Sequence, residues 1–312
     1  MKNFTSANDT EDIPGLIQEA IQLKANPHQS NVGQNKTLGL IFFNPSLRTR
    51  LSMQKAADNL GMNVIVMNVD KDGWKIEFEE GTIMDGEGQE HVKDAVRVIS
   101  GYVDVLGVRT FPELKNREED YSEKVLQQFL NYSEVPVISL ESATLHPLQS
   151  LADLVTMEEY KIRSPKVVLS WAPHPKALPQ SVPNSFLQWV KRIEANIVLA
   201  CPAGYELASE FMEGIPVVHD QKEAFDQADF IYAKNWSSYH DYGRSFPVEE
   251  DWTITMDKMK LTRQGKFMHC LPIRRNVVAT DDVIDHSIVY QQAKNRECAA
   301  QAVLKRILES HG

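Results

Sequence analysis

Apolar, β-branched runs alternate with helical patterns along nearly the whole of this chain. The runs are TLGLIFF (37–43), MNVIVMNV (62–69), VDVLGVR (103–109), VPVISL (135–140), KVVLSWA (166–172), ANIVLA (195–200), DFIYA (229–233) and KFMHC (266–270). Between most of them lie stretches with a helical apolar period: 51–61, 90–101, 122–130, 148–161, 184–193 and 221–228. Near-continuous apolar strands suit a parallel sheet covered on both faces, and intervening helices supply the covers. The alternation therefore predicts an α/β fold with doubly wound parallel sheets. Four runs precede a long helical pattern that begins near Pro147, and four follow it. That predicts domains at 1–150 and 151–290, hinged near residue 150. The amphipathic stretch 291–312 is expected to form a helix that returns to the first domain. A length of 312 residues also favours two domains.

Two stretches resist the alternation. Residues 70–91 are polar and glycine-rich, long for a strand-to-helix connection, and such loops are usually functional or disordered. Residues 172–185, APHPKALPQSVPNS, hold four prolines, which predicts a stiff, irregular loop.

Bulk charge narrows the partners. The formal net charge is −10, which argues against nucleic acid and anionic membranes. An anionic ligand would need a local basic pocket. Three cysteines, Cys201, Cys270 and Cys298, suggest free thiols in a reducing compartment. The N-terminal stretch has no apolar core of a leader, and no run approaches a membrane span. The expectation is a cytoplasmic protein.

In open α/β sheets, ligands bind beyond the carboxyl ends of the strands. The residues predicted there form a coherent set. NPSLRTRLS (44–52) follows the first strand, placing Ser46, Arg48, Thr49 and Arg50 at a helix start. Unpaired N–H groups, a positive helix end and guanidinium forks suit a phosphate or carboxylate. A capped, solvated helix start is the plain alternative for this motif alone. Arg109 ends the third strand, and Glu141 follows the fourth, ahead of His146 and Gln149. His174 follows the fifth, and Lys234 follows DFIYA. His269, Cys270, Arg274 and Arg275 close the eighth. Singly, Arg109 reads as a surface ion pair, His146 as a helix-start polar group and Cys270 as core filler. Several such residues at strand ends are harder to dismiss. The histidines lack metal-ligand spacing and no C-x-x-C occurs, so no metal is expected. Glycine-rich nucleotide loops and a G-x-S-x-G elbow are also absent.

SLRTR, HPLQ and HCLP, in this order and at these separations, resemble the carbamoyltransferase family of aspartate and ornithine transcarbamylases. The likeness covers nearly the whole chain. It implies two α/β domains, one for carbamoyl phosphate and one for the amino acid, and a homotrimer with shared active sites. The D-x-x-x-S-M-G loop of ordinary ornithine enzymes is missing. DGWKIE, MDGEGQEH, WAPHP, YAKNW and HCLPIRRN instead resemble the N-acylornithine branch, whose C-terminal domain is knotted through the proline-rich loop. By that resemblance Ser46, Leu47, Arg48 and Thr49 hold phosphate with support from Arg50. Trp74 reaches it from the neighbouring subunit. Arg109, His146, Gln149 and Arg296 hold the carbamoyl group. Glu141, His174 and Lys234 hold the α-amide and α-carboxylate, Arg274 meets the acyl group, and the Cys270 and Leu271 backbone lines the transfer site.

The implied reaction, in arginine biosynthesis, is carbamoyl transfer to the δ-amine of an N-acylornithine. Thr49, Arg109 and His146 would donate to the carbonyl oxygen, with no cofactor. Two positions bear on the acyl group. Gln89 stands where the acetyl-type enzymes have Glu and the succinyl-type have Pro. Val278 stands where the acetyl-type enzymes have Lys. A Glu at 89 would repel a succinyl carboxylate and neutral Gln would not, so N-succinylornithine is expected, with N-acetylornithine as the alternative. A non-catalytic regulator that binds a phosphorylated metabolite is the reading from another class.

Overall fold

The computed structural model describes residues 1–244 and 250–311. The chain forms two compact units. The first comprises Met1–Pro112, Glu118–Leu148 and the chain from Arg296 onward. The second comprises Glu113–Arg117 and Gln149–Asn295.

The first unit is built on β1 (Thr37–Phe42), β2 (Asn63–Asn68), β5 (Val105–Arg109) and β6 (Val137–Glu141), in the order β2-β1-β5-β6. All three pairings are parallel. Leu38, Leu40, Val105, Leu106, Val108 and Ile138 are fully or nearly fully buried, as expected of strands covered on both faces. Val92 and Val96, from the helix Val92–Ser100, and Leu126 and Phe129, from the helix Lys124–Tyr132, pack with Ile41, Leu106 and Val108. Each such side chain contributes about 1.5–3 kcal/mol by leaving water. The helix Leu47–Leu60 stops at Gly61, whose φ of 79° is costly for residues with a Cβ. The C-terminal segment belongs here: Asn59 Nδ2 donates to Glu297 Oε1 at 2.9 Å and to Gln301 Oε1 at 3.1 Å.

The second unit is built on β7 (Lys166–Ala172), β8 (Asn196–Ala200), β9 (Val217–Val218), β10 (Phe230–Asn235) and β11 (Lys266–Met268). Their order is β11-β10-β7-β8-β9, again parallel throughout. Trp171, Tyr232, Phe186 and Trp189 fill its core.

The structure departs from the sequence reading in three places. The edge strand β9 was not expected; two residues are too few to show an alternation. The 70–91 stretch is partly ordered by β3 (Ile76–Glu77) and β4 (Glu90–His91), a small parallel pair. The proline-rich loop ends early, because a helix runs Ser181–Val190. Pro183 sits in its first turn, where a missing N–H costs no intrahelical bond.

Candidate active site

Strand order places the site residues. In the first unit the chain winds away in opposite directions from β1 and β5, so their carboxyl ends flank a switch point, the usual ligand crevice of open α/β sheets. Asn44 to Arg50 leave β1 there, and Arg109 ends β5, with Phe42 and Arg109 in register.

Ser46 is the N-cap of Leu47–Leu60, yet its side chain makes no capping bond, and no acid lies in the first turn. The positive helix end with its unpaired N–H groups therefore remains available to an anion. Thr49 is buried, and its Oγ1 accepts from Arg296 Nη2 at 2.7 Å. Arg296, from the C-terminal helix Val289–His311, is thus held at the first turn. Beside it lies a cavity of about 630 Å³ lined in part by Ser46, Leu47, Arg50, Gln54 and Lys71.

Arg109 is buried. Its Nη1 donates to the carbonyls of Asn44 and Pro45 at 3.4 and 3.2 Å, and its Nη2 to Glu141 Oε2 at 2.6 Å. Its Nε is buried with no partner among the described residues, a donor left over for a ligand. The same Glu141 oxygen lies 3.8 Å from His146 Nε2. Sequence resemblance put Glu141 with the substrate's amide; here its carboxylate is engaged by Arg109. Removing either partner would leave a buried charge exposed to a low dielectric, typically a cost of about 3–5 kcal/mol.

Sequence pattern gave no sign of Glu123, which holds the loop from Glu141 to His146. Its backbone is left-handed, φ 52°. Its Oε1 accepts from Ser142 Oγ at 2.6 Å, Thr144 N at 2.8 Å and Thr144 Oγ1 at 2.6 Å, and its Oε2 from Ala143 N at 3.3 Å. Left-handed backbone at a non-glycine residue costs on the order of 1–3 kcal/mol and tends to persist at functional sites.

In the second unit the switch point lies between β7 and β10. His174 follows β7. Lys234 lies within β10, not after it, in register with Trp171. Arg274 Nε donates to His174 Nε2 at 3.0 Å, and Trp236 Nε1 donates to the His174 carbonyl at 3.3 Å. Burial holds the His174 pKa below the ordinary histidine value. The nearby cations Arg274, Lys234 and Lys176 push it the same way, against the raising effect of a bond to the Lys176 backbone. A neutral ring is what an Nε2 acceptor requires. Lys234 is buried and, among the described residues, has no hydrogen-bond partner. A buried ammonium beside a neutral imidazole and a guanidinium leaves positive charge to be balanced by a ligand.

Asn184 is a second residue the sequence did not signal. It is fully buried, and its Oδ1 and Nδ2 both lack partners among the described residues. Gln149 Nε2 donates to Asp153 Oδ1 at 2.7 Å, which also accepts from Gln292 Nε2 at 2.7 Å. The His269 N–H donates to Gln292 Oε1, and His269 Nδ1 accepts from Leu271 N at 2.9 Å. Leu271 has a φ of 56°, so the backbone turns sharply at Cys270–Leu271. Val278 is fully buried and Arg274 is exposed.

Trp74 is 54% exposed, and its Nε1 donates to Glu90 Oε2 at 2.9 Å. The exposed Gln89 donates its N–H to the Lys75 carbonyl. The β3–β4 pair thus presents both side chains on an ordered loop.

Two family models match the chain, and their bounds differ from those of the units. The model of the aspartate/ornithine carbamoyltransferase carbamoyl-P binding domain matches residues 2–159, and that of the Asp/Orn binding domain matches residues 179–307. An N-succinylornithine carbamoyltransferase of Bacteroides thetaiotaomicron is 50% identical over 99% of both chains. An N-acetylornithine carbamoyltransferase of Xanthomonas axonopodis pv. citri is 36% identical over 100% of this chain and 98% of its own. Among solved structures, a glutamate-to-alanine variant of N-acetyl-L-ornithine transcarbamylase, complexed with carbamyl phosphate and N-succinyl-L-norvaline, superposes with a TM-score of 0.93. It is 36% identical and covers 98% of this chain and 100% of its own.

Proposed function

The chain belongs to the aspartate/ornithine carbamoyltransferase family, and we propose that it transfers the carbamoyl group of carbamoyl phosphate to the δ-amine of N-succinylornithine. The products are N-succinylcitrulline and phosphate, a step of arginine biosynthesis. The observation that carries the reaction is the uncapped helix start at Ser46, with Thr49 tied to Arg296 and Arg109 set beside it on β5. Ser46, Leu47, Arg48, Thr49 and Arg50 bind phosphate oxygens. Arg109, His146, Gln149 and Arg296 hold the carbamoyl group.

The amine attacks the carbonyl carbon, and charge builds on the carbonyl oxygen. Thr49, Arg109 and His146 donate to that oxygen; losing one such donor costs about 3 kcal/mol of barrier. The C–N bond forms as the C–O bond to phosphate breaks, and the departing phosphate takes the amine proton. No side chain need act as the base.

Lys234, His174 and Glu141 serve the amino-acid end of the substrate, and Asn184 joins them with its unpartnered amide. Arg274 faces the acyl group, with the Cys270–Leu271 backbone along the transfer path. The succinyl choice is supported by neutral Gln89, by buried Val278 and by the higher identity to the succinyl-type relative.

We read the protein as a cytoplasmic homotrimer in which Trp74 reaches a neighbour's phosphate site. Leu47 and Leu51 lie one turn apart on their helix, 70% and 57% exposed, and Ile65 on the edge strand β2 is 50% exposed, as a surface awaiting another copy would be. By the family resemblance the second unit is read as knotted through the proline-rich loop, whose Gln180 Nε2 donates to the Ser237 carbonyl at 3.1 Å.

The test offers ornithine, N-acetylornithine and N-succinylornithine side by side with carbamoyl phosphate. We expect the highest kcat/KM with N-succinylornithine. A clear acetyl preference overturns the acyl assignment, and no turnover with any of the three overturns the enzyme.

A further inference from the structure

At the far edge of the second sheet, β8 and β9 bring together three side chains that the carbamoyl chemistry does not use. Ala200 pairs with Val218, and the Cys201 N–H donates to the Val218 carbonyl at 3.1 Å. Cys201 and His219 therefore leave neighbouring strands at the same level. In parallel pairing, side chains at one level point to one face. Glu206, from the loop after β8, completes the group. One ligand atom from each of Cys201, Glu206 and His219 lies within 4.8 Å of the others, and His219 Nε2 is 3.9 Å from Glu206 Oε1.

We propose that Cys201, Glu206 and His219 form a three-ligand site for a soft divalent cation, Zn2+ by the chemistry of the donor set. Thiolate, imidazole and carboxylate are the three zinc donors, and Zn–S and Zn–N or Zn–O bonds run near 2.3 and 2.1 Å. Tetrahedral geometry then sets the donors roughly 3.3–3.6 Å apart. His219 is half exposed, so its side chain has room for a small shift toward that spacing.

The His219 ring is also oriented for the task. Its Nδ1 lies 2.9 Å from the Cys201 carbonyl. With the proton on Nδ1, the Nε2 lone pair is left for a metal, the arrangement that commonly orients ligating histidines. A reactive-thiol role fits less well, since burial and then Glu206 push the Cys201 pKa up to about 12. On coordination the thiol proton passes to solvent as the Zn–S bond forms. Three protein ligands leave a fourth position for water.

The site would act as a clamp. The loop it closes carries Tyr205, whose carbonyl accepts from Trp171 Nε1 at 2.7 Å and whose ring lies 5.7 Å from that of Trp236. Trp236 in turn donates to the His174 carbonyl. A cation here would tie the edge strand to the wall behind His174.

The proposal does not depend on which reaction the protein catalyses. The experiment titrates the full, dialysed chain with Co2+, then with Zn2+ as competitor. One Co2+ per chain is expected, with a thiolate-to-cobalt absorption in the near ultraviolet that one equivalent of Zn2+ bleaches. Cys201→Ser should abolish the band, and His219→Ala should weaken binding at least about tenfold. Absence of the band overturns the proposal. So does a band that survives Cys201→Ser, because Cys270 or Cys298 must then be the ligand. Should the serine variant not fold, His219→Ala decides alone, since its side chain is half exposed; unchanged Co2+ affinity there overturns the site.

Discussion

Glu123 touches neither proposed substrate, yet it fixes the loop that carries Glu141 and His146. Its four accepted bonds offset a left-handed backbone. Glu123→Gln keeps the shape but replaces one acceptor oxygen by a donor facing donors. We expect kcat to fall ten- to a hundredfold, because small misplacements of a catalytic group carry penalties of that order. KM for carbamoyl phosphate should change less than kcat, since most of the ligand's charge is in its phosphate, proposed to sit at the Ser46 helix start. A rise in KM with normal kcat would deny the positioning role. His174 gives a second expectation. Its folded pKa lies below the unfolded value near 6.5, so its contribution to stability is present above that pH and is lost as pH falls through the folded value. Protonation also removes the acceptor that Arg274 uses. KM for the acylornithine should therefore rise only on acidification past the ordinary histidine range, through the lowered folded value, and His174→Gln should flatten that profile. An unaltered KM–pH curve in the unmodified protein would contradict it. Residues of this kind divide sharply in legibility. Arg48, Arg109, His146 and Lys234 could be picked out as candidates because cations and an imidazole beyond or at strand ends ask for a ligand. Glu123 and Asn184 could not, because an acid at a helix start and an amide in a helix look ordinary until their partners, or lack of them, are known.

Elements were more legible than residues where they are long and apolar. The run 166–172 is a strand to the residue, and every position after Lys166 is buried, as expected of a strand covered on both faces. Boundaries slipped where proline chemistry cuts both ways: four prolines suggested an irregular loop, but Pro183 also suits a first helical turn, and the helix begins at Ser181. The two-residue strands β3, β4 and β9 carry no periodic signal, since their pairing is decided by neighbours distant in sequence. The Cys201–Glu206–His219 group was hidden for the same reason. Spacings of five and thirteen residues follow no metal motif, and only the pairing of β8 with β9 brings the side chains together.

At the scale of the whole molecule, the proposed site is expected to be completed by a second copy of the chain. Trp74 is bonded to Glu90 of its own loop, and an exposed indole has much apolar surface to bury. Mixing inactive Trp74→Ala and Arg109→Ala chains tests this. If Trp74 serves a neighbour, mixed assemblies contain some sites with both native residues, and part of the activity returns after subunit exchange. No recovery despite demonstrated exchange would place Trp74 in its own chain's site or in none.

The first unit has a further property, set by the order in which its pieces are made. It draws on both the beginning and the end of the chain, and Arg296 meets Thr49 only after every residue of the second unit has been synthesised. The strands β1, β2, β5 and β6 all lie before residue 142, but the turn at Thr49 gains the Arg296 guanidinium from far later in the chain. The turn at Thr49 is thus completed by a residue that lies beyond the whole of the second unit in chain order.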